Sequence, residues 1–248
     1  MRANKYSNVP LAAALGVIVG VYISTSYLPR KLAQDEEFVV SSFHRLYHNA
    51  WWQQTMIETY WMGSRIMKTP LDLWVYQEII YETKPDVLIE TGTLSAGSAN
   101  YYAGLFELVD KGRVYTVDIE DLPKRLHPRV KFRLDSSTSD ATINWLQGEI
   151  GPGEVVMVSL DSLHTKEHVL DELDLYAPFV TLGSYLVVED THLTGHPIHV
   201  PFSPGPGREG PWEAVAEWLP KHPEFEADQS RERFGLTYNP NGWLRRVR

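Results

Sequence analysis

The chain has 248 residues, 43% of them hydrophobic and 22% charged, which suffices for one sizeable domain with a buried core plus accessory segments. A formal charge of −9 excludes nucleic acid as the main partner, because phosphate binding needs clustered Lys and Arg, and leaves a small molecule or glycan. With no cysteine there is no disulfide, thiolate metal site or cysteine nucleophile, so strong metal ligation falls to His and carboxylates and the setting leans cytosolic.

In chain order, Leu11 to Leu28 comes first, a run of 18 positions without a charge between Arg2 and Lys5 on one side and Arg30 and Lys31 on the other. Such a run is close to the shortest that spans a bilayer. Three readings stay open: a signal anchor holding a cytoplasmic catalytic domain, a cleaved signal peptide, and an apolar helix buried in an oligomer. Phe38 to Met62 places Phe43, Leu46, Tyr47, Trp51, Trp52, Ile57 and Trp61 at roughly helical intervals, which predicts one or two amphipathic helices packed on the main domain or on another subunit. Lys68-Thr69-Pro70 marks a break, and Leu71 to Glu82 follows in helical register.

From Lys84 onwards the pattern alternates. Short apolar runs at Asp86 to Glu90, Val114 to Asp118, Val130 to Leu134, Val155 to Leu160 and Tyr185 to Val188 read as buried strands with helices between them. That is the signature of a parallel, doubly wound α/β sheet. Arg233 to Tyr238 and Trp243 to Val247 flank the turn signal Asn239-Pro240-Asn241-Gly242, which predicts an antiparallel C-terminal hairpin at the sheet edge. The expected organisation is an apolar segment over 1–33, a helical region over 34–83 and the sheet domain over 84–248.

The chemistry gathers at strand ends. Val87 to Ser98 is a strand ending in Glu90, then a turn with Gly92 and Thr93, then a helix start near Ser98. In open α/β sheets ligands bind at this edge. The segment lacks the G-x-G-x-x-G spacing that seats a pyrophosphate, and its Glu-x-Gly opening suits a ligand with a cationic amino acid end. Asp118, with Ile119 after it, closes the second strand where an acid can accept both ribose hydroxyls, a placement that serves NAD and S-adenosylmethionine equally. Asp135 and Ser136 follow the third strand, near the expected adenine; alone, Asp135 reads as the cap of a helix over Ser139 to Leu146.

Two further strands run into Asp161 and into Glu189-Asp190. Burying three like charges at one sheet edge costs several kcal/mol unless they are compensated. A hard divalent cation resolves the conflict, and ligation by oxygen alone selects Mg²⁺ or a similar ion. His164, three residues past Asp161, is placed either to take the proton of an acceptor hydroxyl as general base or to stand behind the ligands. Thr194 to Gly210 is rich in Pro and Gly, directly follows the last acidic strand, and reads as a lid carrying His196 and His199, with His192 just before it.

As a set, Lys68-Thr69-Pro70, Glu90-Thr91-Gly92 with Gly97-Ser98, Val117-Asp118-Ile119, Leu160-Asp161-Ser162 with His164-Thr165, Val188-Glu189-Asp190-Thr191, and Arg233-Phe234 with Asn239-Pro240-Asn241-Gly242-Trp243-Leu244 resemble the cephalosporin hydroxylase and rhamnosyl O-methyltransferase family. The resemblance covers the chain from about Trp61 to its end. It implies a Rossmann-like class I methyltransferase fold, S-adenosylmethionine contacts at Glu90, Gly92, Asp118 and Asp135, and a Mg²⁺ site from Asp161, Glu189 and Asp190. It further implies a homo-oligomer and an acceptor hydroxyl on a sugar, a polysaccharide or lipopolysaccharide glycan, or a small natural product. One departure stands out: Ala96 replaces the first of a usual Gly-Gly pair, and if that position needs positive φ, Ala strains the loop by about 1 kcal/mol. A NAD-type enzyme and a membrane-tethered scaffold without catalysis are the competing readings.

Overall fold

The computed structural model describes residues 38–44, 46, 58–122, 125–193 and 209–248. By its internal contacts the chain divides into two units, Met1–Phe43 and His44–Arg248. In the first, residues 38–43 are helical. The apolar run 11–28, the residues Tyr47, Trp51, Trp52 and Ile57, and residues 194–208 of the expected lid lie outside the described residues. Among the described residues no helix is long and apolar enough to cross a membrane.

The second unit opens with a two-strand ribbon, β1 (Tyr60–Trp61) and β2 (Ser64–Arg65), so the helical reading of the aromatic stretch does not extend to Trp61. Helix α1 (Pro70–Thr83) follows. Its start is written locally: the Thr69 hydroxyl accepts from the Leu71 N–H, and Pro70 fixes the first helical φ. Then come β3 (Val87–Thr91), α2 (Gly97–Leu108), β4 (Arg113–Asp118), β5 (Val130–Leu134), α3 (Asp140–Glu149), β6 (Val156–Leu160), α4 (Lys166–Tyr176), β7 (Tyr185–Val188), α5 (Pro211–Trp218), β8 (Phe225–Ala227) and β9 (Trp243–Arg246).

The seven strands β3 to β9 form one sheet in the order β5-β4-β3-β6-β7-β9-β8. The first five are parallel; β9 runs antiparallel to both β7 and β8. Alternating side chains of each strand enter two cores. Val87, Ile89, Val158 and Leu244 pack with Leu146, Leu173 and Trp218 of α3, α4 and α5. Leu88, Val114, Met157 and Trp243 pack on the other face with Ile79 and Phe106 of α1 and α2. This is the expected doubly wound, mostly parallel architecture with a C-terminal antiparallel pair.

The partner in that pair differs from the expected one. Arg233 to Tyr238 is not a strand; β9 pairs with Phe225–Ala227, through Ala227 opposite Leu244 and Phe225 opposite Arg246. The backbone of the misread segment is spoken for elsewhere: the Tyr238 N–H donates to the Asp72 carboxylate and the Tyr238 carbonyl accepts from the His192 N–H.

Candidate active site

The strand order reverses between β3 and β6, and at such a switch point the loops leaving the two strands separate and open a crevice. Here the loops begin at Gly92 and Asp161. Gly92 adopts φ +82°, and a Cβ at that position would sit 1.8 Å from the carbonyl oxygen of Asp161. Its small size therefore serves the contact between two strand ends.

Glu90, two residues earlier on β3, is fully buried. Its Oε2 accepts from the Thr116 hydroxyl at 2.7 Å, while Oε1 has no hydrogen-bond partner among the described residues. Burial raises its carboxyl to about 7, against the pull of Lys68, Ser98 and Thr116. An unmet carboxylate oxygen in such a place suits an ammonium group. Thr93 shares a 2.7 Å hydrogen bond with Thr116. Helix α2 starts from Ala96 at φ +61°, so the position does require the left-handed conformation and Ala bears the strain expected for it.

Asp118 ends β4 alongside this turn and accepts from the Leu94 and Glu120 N–H groups at 2.7 and 2.9 Å. Ile119 after it is 73% exposed and Leu134, at the end of β5, 52%, so two apolar side chains face outward at the edge where a flat ring could rest. Asp135 pairs with Arg133 at 2.8 Å and accepts from the Ser136 N–H, and the Arg133 hydrogen bond holds its carboxyl below the usual range. The cap of α3 is Ser139, whose hydroxyl accepts from the Thr142 N–H, so Asp135 is left for another task.

Beyond β6 and β7, one ligand atom each from Asp161, His164 and Asp190 lie within 4.8 Å of one another. His164 stands between the acids, Nε2 at 3.3 Å from Asp161 Oδ1 and Nδ1 at 3.5 Å from Asp190 Oδ2. Burial alone would lower the imidazole; the hydrogen bond and charge of Asp161 with the charge of Asp190 outweigh it and lift it to about 9. Burial raises Asp190 to about 7, while Asp161, which burial also pushes up, is held low by Lys68 and His164. Ligands bound to a hard cation at roughly 2.0–2.6 Å lie within about 5 Å of each other, so this spacing fits a divalent ion.

Glu189 stands apart from that trio. The ammonium of Lys68 lies 2.8 Å from Glu189 Oε1 and 2.9 Å from Asp161 Oδ2, and the Tyr76 hydroxyl donates to the same Glu189 oxygen. Lys68 thus supplies part of the compensation that the sequence assigned wholly to a metal. The far end of β7 is tied down by the C-terminal segment. The Asp190 N–H donates to Asn239 Oδ1, which fixes Asp190 at φ +58°, and the Thr191 hydroxyl donates to the Pro240 carbonyl. Asp72 on α1 in turn accepts from the Thr237 hydroxyl and the Tyr238 N–H. His192 is buried, its ring stacked on Tyr238 at 4.0 Å between centroids. Lys68, Tyr76, Asp72 and Asn239 were not singled out from sequence for these roles; Lys68 and Asn239 appeared only within a helix break, a turn signal and the motifs that carry the family resemblance.

A mostly parallel sheet with acids on consecutive strand ends around its switch point offers a crevice for a ligand, and solved structures share this fold. An apo structure of CmcI superposes with a TM-score of 0.59 at 18% identity, covering 77% of each chain. CmcI bound to Mg and SAM gives 0.58 at 16%, covering 77% of this chain and 78% of that one. In sequence, residues 53–247 match the rhamnosyl O-methyltransferase/CmcI family. A rhamnosyl O-methyltransferase of Mycobacterium tuberculosis is 36% identical over 242 residues, covering 93% of this chain and 94% of the relative. One of Mycobacterium leprae is 36% identical over 216 residues, covering 83% and 90%. The chain belongs to the rhamnosyl O-methyltransferase/CmcI family, and by class it is an O-methyltransferase.

Proposed function

We propose that the chain transfers the methyl group of S-adenosylmethionine to a hydroxyl of a rhamnose-type sugar on a glycan or glycolipid, with Mg²⁺ in the site. The observation that carries this reading is the convergence of Asp161, His164 and Asp190 beside the Glu90–Gly92 turn. The mycobacterial rhamnosyl O-methyltransferases support the sugar acceptor, and the CmcI structure with Mg and SAM supports the pair of small partners.

In this reading Glu90 takes the cationic amino acid end of the methyl donor with its unmet oxygen, and Asp118 exchanges backbone N–H groups for ribose hydroxyls. Ile119 and Leu134 flank the adenine, with Asp135 and Ser136 at its edge; Gly92, Thr93 and Ser98 shape the turn beneath. Asp161 and Asp190, joined by Glu189, hold the metal. When bound, a divalent ion stabilises the negative charge that develops on the acceptor oxygen. His164 accepts the hydroxyl proton at one of its ring nitrogens. With the charge of Asp161 and Asp190 committed elsewhere, burial, which favours the neutral, proton-accepting form, is opposed chiefly by the more distant charge of Glu172.

Transfer of labelled methyl from S-adenosylmethionine to a rhamnose-bearing glycolipid tests the reading. Asp161→Asn and Asp190→Asn should abolish metal-dependent turnover while calorimetry still shows donor binding. Full turnover in either variant or in excess EDTA, or heat of binding with NAD in place of S-adenosylmethionine, overturns it. Assembly into a homo-oligomer and membrane attachment through residues 11–28 are separate parts of the reading, tested by light scattering and by vesicle flotation of the full chain.

A further inference from the structure

Three carboxylates leave neighbouring strands here, yet only two of them share the His164 cluster. What holds the third away is a cation the chain carries itself. Lys68 is 5% exposed, sits just ahead of α1, and reaches across the sheet edge to lie between Asp161 Oδ2 at 2.9 Å and Glu189 Oε1 at 2.8 Å. Glu189 has no reason to leave: Tyr76 donates to the same oxygen, and Ser159 lies at 3.5 Å. Its chain neighbour Asp190, among the described residues, pairs with His164 and His192 and with no lysine or arginine.

We propose that Lys68 is a built-in competitor for the metal, its ammonium and a divalent cation being alternative occupants of the space between Asp161 and Glu189. Lys68 keeps the site weak, and Glu189 becomes a ligand only as Lys68 yields it. This inference rests on the metal reading above and adds to it the residue that sets affinity. The physical ground is simple. A single positive charge within contact distance of two ligand oxygens repels an incoming dication and must be separated from both carboxylates before they can turn to it.

The test uses Mn²⁺ as the probe, titrated calorimetrically into the full chain without donor or acceptor. Lys68→Met and Lys68→Gln both remove the charge, and each should tighten Mn²⁺ binding by about tenfold or more. Unchanged or weaker binding in both overturns the proposal, since it would mean that Lys68 orients the ligands instead of competing for them. Asp190→Asn separates the two levels. If it binds Mn²⁺ as well as the wild type does, the metal reading itself has failed; if it loses Mn²⁺ while the Lys68 variants do not tighten, only the present inference falls. Should both neutral variants unfold without metal, recovery of a cooperative thermal transition on adding Mn²⁺, and not on adding NaCl of equal ionic strength, supports competition, and no recovery overturns it.

Discussion

Replacing Gly92 with Ala probes a close backbone contact between the turn after β3 and the loop after β6. The added Cβ would lie 1.8 Å from the carbonyl oxygen of Asp161 and 2.6 Å from its carbonyl carbon, where ordinary contact begins near 3.4 Å. Both obstacles are backbone, so no side-chain rotation relieves them and the ends of β3 and β6 must part. An L-residue in the left-handed region costs about 1–2 kcal/mol, and forced overpacking adds about 1–3 kcal/mol. Reduced entropy of the unfolded chain returns about 0.4–1 kcal/mol, which leaves a net loss of about 1–5 kcal/mol with a centre near 3 kcal/mol. Gly153→Ala is the matched control, because Gly153 has the same φ of +82° but nothing within 4 Å of its Cβ site. It should lose only the backbone part, about 1 kcal/mol. Urea unfolding of the two variants at equal m-values measures the difference. If they agree within about 0.5 kcal/mol, the strand ends are not packed at this separation and the crevice has another shape.

Much of this frame was legible in sequence because it is local. Five parallel strands announced themselves as apolar runs, each within a residue of its observed bounds, and the family resemblance, with its Gly-Gly pair where this chain has Ala96-Gly97, pointed to the strain at Ala96. What sequence could not show were contacts made across the fold. Asn239 meets Asp190, Thr237 meets Asp72 and Lys68 meets Glu189 over separations of 49, 165 and 121 residues. No periodicity encodes such pairs, and Lys68 in isolation reads as a solvated helix-start lysine. The misplaced strand has the same cause. Arg233 to Tyr238 alternates like a strand, while the true partner of β9 is three residues long, and hydrogen bonds donated to the distant Asp72 carboxylate and backbone contact with His192 decided between them. The acids were found because they end strands, whereas the division of labour among them depended on which one a distant lysine reaches.

Three further outcomes follow. Asp118→Ala should weaken S-adenosylmethionine binding by about 1.5–3 kcal/mol, read by calorimetry; an unchanged dissociation constant would put the nucleoside elsewhere. His164→Ala should lower turnover by about 10²- to 10⁴-fold and flatten the alkaline-rising limb of the pH–rate profile, and a profile of wild-type shape would deny it the proton. Asp72 makes stability depend on pH. Burial raises its carboxyl to about 7 from an ordinary 3.8, and the hydrogen bonds from Thr237 and Tyr238 only partly oppose this. The folded state therefore holds the proton more tightly than the unfolded chain does. The sign is fixed by linkage: the contribution is complete below the unfolded value near 4 and is lost as pH rises through 7, at up to about 1.4 kcal/mol per pH unit. Glu90 and Asp190, also raised to about 7, push the same way, so the wild-type curve alone assigns nothing to Asp72. Asp72→Asn isolates it. The amide keeps an acceptor for the Thr237 hydroxyl but turns N–H groups towards the Tyr238 N–H, so the variant should be the less stable at pH 5, by about 1–3 kcal/mol. Having no proton to lose, it should then close that gap by pH 8. Thermal unfolding of both proteins in chelator across that range gives the difference curve, and two parallel lines would mean that Asp72 is already ionised in the fold and straps the C-terminal segment to α1 as a charged group.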